Sequence, residues 1–394
     1  MKLKNISTLL FITICFNINA QTNSLVINPD IVMPKDSLDS IALLFSVNAF
    51  LSSAQENSQN KWILAPESIE TQILIDEIQD IQKSDEFESD LFFKPYLTNI
   101  IPLENNKYAV HIAYIGINEN SAYLRANFEL IAHKTNDSFL ISSPLIKNTE
   151  NWKTKNIQNH IFHYPYTLDD EKAQMFANKV IFYDDKIKNN TGEFHYYLVS
   201  DEINPLDLFG VKYKSDYNGD DLSTRWVSEH GKKSLWVAKE ARVFGYDVHD
   251  LWHNRLRRVI SRREVHRDVD CQIATLYGGL WGFSWEELFP IFCEKFVVGK
   301  NINWLEHKKS NAHFITKGKR GERKNYTDDF VGALIVKKIE KEKGFDGVWE
   351  LLITKRSKKD EEYFTTLEKL TGISKKNYNK EVFKLIEEEI KNNQ

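Results

Sequence analysis

Two histidines four apart, His249 and His253, with an acid directly after the first, form a candidate metal-binding pair in this chain. On a helix, residues i and i+4 project from one face, so both imidazoles can reach a single metal ion. In the H-E-x-x-H arrangement the residue after the first His is Glu, the general base for a zinc-bound water. Here it is Asp250, one methylene shorter. A base must come within about 2.6–3.2 Å of the proton it takes, so the shortening bears directly on whether hydrolysis survives. With eleven His in 394 residues, about 0.3 chance H-x-x-x-H matches are expected, and requiring the acid lowers that about tenfold. The competing reading is a hydrogen-bonded pair of core histidines.

The surroundings favour a helix. At 100° per residue His249, His253, Leu256 and Ile260 share one face, flanked by Val248, Trp252 and Val259. Downstream lies Asp270-Cys271-Gln272-Ile273-Ala274, followed by Gly278-Gly279 and Trp281, then Trp285-Glu286-Glu287-Leu288-Phe289 and Asp329-Phe330-Val331-Gly332-Ala333-Leu334. Together with the His pair, this run resembles the gluzincin-type zinc metallopeptidases over roughly 155–394. Their second ligand helix carries Asp-Glu-Gly-x-Ala, in one exported bacterial group followed by Gly-Gly and an aromatic-rich helix. The resemblance implies that His249 and His253 are zinc ligands and that Asp250 stands at the catalytic base. It puts Cys271 where the third ligand, Glu, would be, and Gln272 where Gly would follow.

A catalytic zinc usually has three protein ligands plus water. The readings of the third ligand run, in order, none, Cys271, Asp270, and a more distant carboxylate such as Glu286 or Glu287. Thiolate is a good zinc ligand, but it donates more charge than a carboxylate and should leave bound water less acidic. A buried packing cysteine and a Cys271–Cys293 disulfide are the plainer readings of the same residue. Tyr277, Tyr326 and His313 are candidates for stabilising an oxyanion. His160 and His163 read as residues on the faces of a strand, and Gly278-Gly279 lacks the preceding strand and following Lys of a phosphate loop.

Stepping outward, residues 36–57 and Glu67 to Gln82 read as helices. Strands follow at Tyr96 to Pro102, Tyr108 to Ile115, Ala122 to His133 and Ser138 to Ser143, separated by Asn-rich turns. This predicts an α+β fold, with a helix-plus-antiparallel-sheet domain over 25–150 whose outline is similar to the nuclear-transport-factor-2 or cystatin type. Strand signals at Ile161 to Tyr166 and His195 to Val199 flank a helix over Leu168 to Tyr183. Beyond Asp247 the pattern is mostly helical, with breaks at Gly344 and Gly372. The 155–394 region is therefore expected to be mixed, then helical, and gluzincin-like.

Residues 1–20 read as an export signal: Lys2 and Lys4, an apolar run from Leu9 to Phe16, and Ala20 at the cleavage position. No later stretch is expected to span a membrane. Loss of those residues takes away two lysines and no acid, moving the formal charge from -4 to -6. That balance, with export, argues against a nucleic-acid partner. The basic clusters Arg255, Arg257, Arg258, Arg262, Arg263 and Lys317, Lys319, Arg320, Arg323, Lys324 then read as solvated faces. The expected protein is periplasmic or extracellular, with a metallopeptidase-like fold impaired or inactive in proteolysis and able to bind a peptide or envelope partner. The alternatives are an active zinc metallopeptidase and a structural envelope protein without metal.

Overall fold

The computed structural model describes residues 25–56, 60–189, 192–217, 224–229, 233–297, 301–318, 321–355 and 360–392, so the expected export signal lies outside the described residues. The fold is α+β and divides into two units, residues 1–148 with 206–222, and residues 149–205 with 223–394.

In the first unit, β1 (Val26–Ile27) precedes helices α1 (Ser37–Gln55) and α2 (Ser68–Ile78). An antiparallel meander follows: β2 (Lys94–Leu103), β3 (Lys107–Asn118), β4 (Ser121–Lys134) and β5 (Phe139–Ser142). The Asp36 carboxylate caps α1 by accepting from Leu38 N and Asp39 N, the usual satisfaction of orphan N–H groups at a helix start. Asn105, Asn106 and Glu119 turn the hairpins in the left-handed region. Among the described residues one helix, α1, is long and apolar enough to cross a membrane by length and composition, although no stretch after residue 20 was expected to span one. Its Leu43, Val47, Phe50 and Leu51 are buried in the core, whereas Leu38, Ile41 and Phe45 are exposed. A short helix α3 (Leu145–Asn148) closes this stretch.

The second unit opens with β6 (Lys153–Ile157), β7 (His160–Tyr164), α4 (Asp170–Lys186) and β8 (Glu193–Val199). The chain then makes helix α5 (Pro205–Leu208) and strand β9 (Val211–Lys214), which pairs antiparallel with β4, Ala126 opposite Lys214. The 206–222 segment thus belongs to the first unit, although sequence pattern placed it with the region after 155. Strands β10 (Thr224–Glu229) and β11 (Lys233–Lys239) complete a sheet of order β10-β11-β8-β7-β6, in which β7, β8 and β11 run parallel.

Helices follow: α6 (Glu240–Phe244), α7 (Val248–Leu256), α8 (Arg267–Gly278), α9 (Trp285–Phe292) and α10 (Trp304–Ser310). A hairpin of β12 (His313–Gly318) and β13 (Gly321–Tyr326) stands within the stretch that sequence pattern read as mostly helical. Then come α11 (Thr327–Leu352), α12 (Glu361–Thr371) and α13 (Tyr378–Asn392). Gly344 breaks α11 at φ 69°, and Gly372 ends α12 in the left-handed conformation, both at the expected positions. Phe330, Leu334, Ile335 and Ile339 of α11 are buried against α8 residues Val269 and Ile273 in one core.

The Arg255–Arg263 run is a solvated face only at Arg262 and Arg263, which are exposed. Arg255 is 2% exposed and pairs in bidentate fashion with Asp184 of α4 through Nε at 2.7 Å and Nη2 at 2.5 Å. Arg257 pairs with Asp270. In the second cluster Lys317 is an exposed partner of Glu322, as a solvated face requires.

Candidate metal centre

The centre is built where α7 meets α8. Asp247 caps α7, its carboxylate accepting from His249 N at 3.0 Å. The Tyr183 hydroxyl of α4 donates to Val248 O at 3.0 Å, so the first turn is fixed on two sides. His249 and His253 then rise from successive turns with their Nε2 atoms 3.2 Å apart.

Each ring is held by its other nitrogen. His249 Nδ1 lies 2.9 Å from Gly279 O, and His253 Nδ1 lies 2.9 Å from Asp270 Oδ1. A carbonyl and an ionised carboxylate only accept, so both Nδ1 atoms carry the proton. Both Nε2 atoms then present lone pairs to each other. Two lone pairs at that distance repel unless a proton or a metal ion lies between them, and ring orientation by an outer carboxylate or carbonyl is how metal-ligating histidines are held. Burial foremost, then the neighbouring His253, lowers the pKa of His249 and keeps it in the neutral, ligating form.

Cys271 completes the group: the ligand atoms of His249, His253 and Cys271 all lie within 4.8 Å of one another, and all three residues are half-buried. The cluster could hold a metal ion. The fit can be tested on distances. Two nitrogens about 2.0–2.1 Å from a tetrahedral ion stand about 3.3–3.4 Å apart, close to the 3.2 Å here. A sulfur at about 2.3 Å from the same ion stands roughly 3.6 Å from each nitrogen, inside the 4.8 Å that spans the group. Burial, Asp329 and Asp270 push the Cys271 thiol up to about 12, so a metal binding there displaces its proton.

Asp270 lies outside this group. Its side chain is buried and takes three donors: His253 Nδ1, Trp252 Nε1 at 3.0 Å and the Arg257 guanidinium. Burial alone would raise its pKa, but the hydrogen bond and charge of His253, with Arg257, outweigh it and hold it below the usual carboxylate range. The physical reason is angular. Adjacent helix positions differ by 100°, so when Cys271 faces the imidazole Nε2 atoms its neighbour turns to the far side of His253.

The two glycines after α8 have a structural task. A Cβ on Gly278 would come within 2.7 Å of His249 N and 2.9 Å of His249 Cα, so only Gly lets α8 end against the start of α7. Gly279 has φ +69°, and a Cβ there would fall 1.8 Å from Phe283 O. That turn aims the Gly279 carbonyl at His249.

The remaining candidates go elsewhere. Asp250 is exposed, and its charge raises the proton affinity of His249. Glu287 closes the capping box of α9 with Ser284, and Glu286 is exposed. Cys271 and Cys293 are free thiols, which removes the disulfide reading. The Tyr277 hydroxyl donates to Glu340 at 2.5 Å. Tyr326 and His313 face each other on the β12–β13 hairpin, ring centres 6.1 Å apart.

His160 is fully buried, with Nδ1 3.0 Å from the Tyr196 hydroxyl. His163, on the opposite face of β7, meets His195, which sequence reasoning had not singled out. Its signal, a His on a neighbouring strand, depends on register and was invisible locally. Neither a scan against protein-family models nor a search of curated proteins finds a match for this chain.

Proposed function

We propose that this is an exported protein whose second unit holds one zinc ion on His249, His253 and Cys271 and uses that centre to recognise a peptide or envelope partner, with proteolysis impaired or lost. What supports the metal is a single arrangement. Two imidazoles are locked by Gly279 O and Asp270 so that their Nε2 atoms converge at 3.2 Å, with a thiol beside them. Two nitrogens and a sulfur in a small tetrahedral site favour zinc over hard, oxygen-seeking cations.

Three protein ligands leave one position for a group of the partner. Zinc, when bound, supplies a Lewis acid for a carbonyl or carboxylate oxygen placed there. The surrounding residues position and tune: Asp270 fixes the His253 tautomer, Arg257 balances the Asp270 charge, and Gly279 fixes His249. The impairment rests on Asp250, whose exposed carboxylate is one methylene short of the usual base, and on the charge a thiolate donates to the ion.

The test is metal content of protein purified without added zinc, followed by cobalt substitution. About one zinc per chain, a thiolate-to-cobalt charge-transfer band, and loss of both in His253→Ala are expected. Loss of the band alone in Cys271→Ser would leave a two-histidine site. No chelator-sensitive peptide hydrolysis is expected. Hydrolysis that disappears in Asp250→Asn would overturn the impairment and make the protein an active metallopeptidase.

A further inference from the structure

The face of α7 turned away from the histidines forms part of a second site. At 100° per residue Leu251, Asn254 and Arg255, with Arg258 just past the helix end, lie opposite His249 and His253. These four line a cavity of about 240 Å³. Its other wall is aromatic, made of Phe176 from α4, Phe194 and Tyr196 from β8, Trp236 from β11, and Tyr246. The volume is below the roughly 300–1,000 Å³ of pockets for drug-sized ligands, so the occupant is small.

The charged groups among the described residues at this cavity have one sign. Arg242, Arg255 and Arg258 line it, and no acid does among the described lining residues. Asp184 holds Arg255 through Nε and Nη2, leaving its Nη1 uncommitted to that pair. Arg258 Nη1 reaches Ser234 Oγ at 3.2 Å. Both guanidiniums stack on Phe194, each with its central carbon 4.6 Å from the ring centre. Phe194 thus carries two guanidinium groups among the residues that line the cavity. Burial foremost, then the neighbouring Arg255, lowers the pKa of Arg258 to about 9, which leaves it charged at neutral pH.

We propose that this cavity binds a small amphiphilic carboxylate, its aromatic or short acyl body between the rings and its carboxylate on the arginine end. Guanidinium groups match a carboxylate in fork geometry, and flat aromatic walls accept a ring or a short chain. The site does not rest on the metal reading, since it uses the opposite face of α7.

The test is calorimetric titration of the full chain with 3-phenylpropionate, with hexanoate, and with the uncharged 3-phenylpropionamide. At least one carboxylate saturates the protein, and which one does so distinguishes an aromatic from an acyl body. The amide binds about tenfold more weakly or worse, the loss expected when a charge-assisted contact is removed. Arg242→Gln, at an exposed lining position, weakens the carboxylate by about tenfold as well. Arg258→Gln, if it folds, weakens it further; if it does not fold, the amide comparison and Arg242→Gln decide. Equal affinity for acid and amide, unchanged binding in Arg242→Gln, or no saturation by either carboxylate overturns the proposal.

Discussion

Two histidine pairs in the second unit stand at nearly the same nitrogen separation, 3.2 Å for His249–His253 and 3.0 Å for His163–His195, and they do opposite things with their protons. On the strands, His195 Nε2 meets Glu193 at 3.2 Å, so His195 Nδ1 is left to accept from His163 Nε2. Every proton has a place, and the rings stack at 13°. On α7 both Nδ1 atoms are committed to acceptors, and the two Nε2 lone pairs converge. Separation alone therefore says nothing about metal binding. What the far nitrogen of each ring holds decides whether a pair is a closed hydrogen-bond chain or an open ligand set.

The strongest way to break this contrast is to delete one partner of each pair. His253→Ala should abolish stoichiometric zinc, whereas His163→Ala should leave it unchanged; zinc content of the two purified variants checks both. Loss of metal from His163→Ala would remove the distinction.

Next in size is the response to acid. Burial, ahead of nearby positive charge, lowers His160 to about 3 and His163 to about 4, against about 6.5 in an unfolded chain. Above about 6.5 neither state takes up a proton there. Below it the unfolded chain does so first, so stability falls as pH drops from about 6.5 towards 3–4, by on the order of a few kcal/mol in all. Urea midpoints measured across that range should decline, and His163→Gln should flatten part of the slope.

A smaller effect is expected from Asp270→Asn, which keeps all three ligands but loosens His253. Metal affinity should fall about 10- to 100-fold, read by competition with a chelating dye. Smallest is Gly278→Ala. Its Cβ would press on the backbone of His249, costing roughly 1–3 kcal/mol as overpacking does and about tenfold in zinc affinity, with no ligand removed. An unchanged affinity there would show that α7 can shift without disturbing the centre.

Much of the first unit was legible in the sequence because its elements carry local signals. The Asp36 cap, the alternation in β2 to β4 and the Asn turns each specify structure within a few residues. The His249–His253 pair was legible for the same reason, being two residues on adjacent turns of one helix. What was not legible depended on partners far along the chain. The β12–β13 hairpin alternates little and carries many charges, so its pairing shows only in register. Arg255 looked solvated because its partner Asp184 lies 71 residues away. Asp270 and Cys271 were both credible ligands in the sequence; one step of helix phase puts the thiol on the side of the two Nε2 atoms and the carboxylate behind His253.

Strand β9 carries a consequence for how this chain is made. The edge of β4 from Ala126 to Phe128 is paired by residues 211–214, more than eighty positions later. During synthesis the first sheet therefore waits, with that edge open, until the ribosome has passed the first three strands of the second unit. Exposed edges in incomplete sheets are where chains aggregate. Cutting the gene at residue 148 would leave that edge bare in one product and strand β9 an orphan in the other, so separate expression calls for a graft of residues 206–222 onto the first piece.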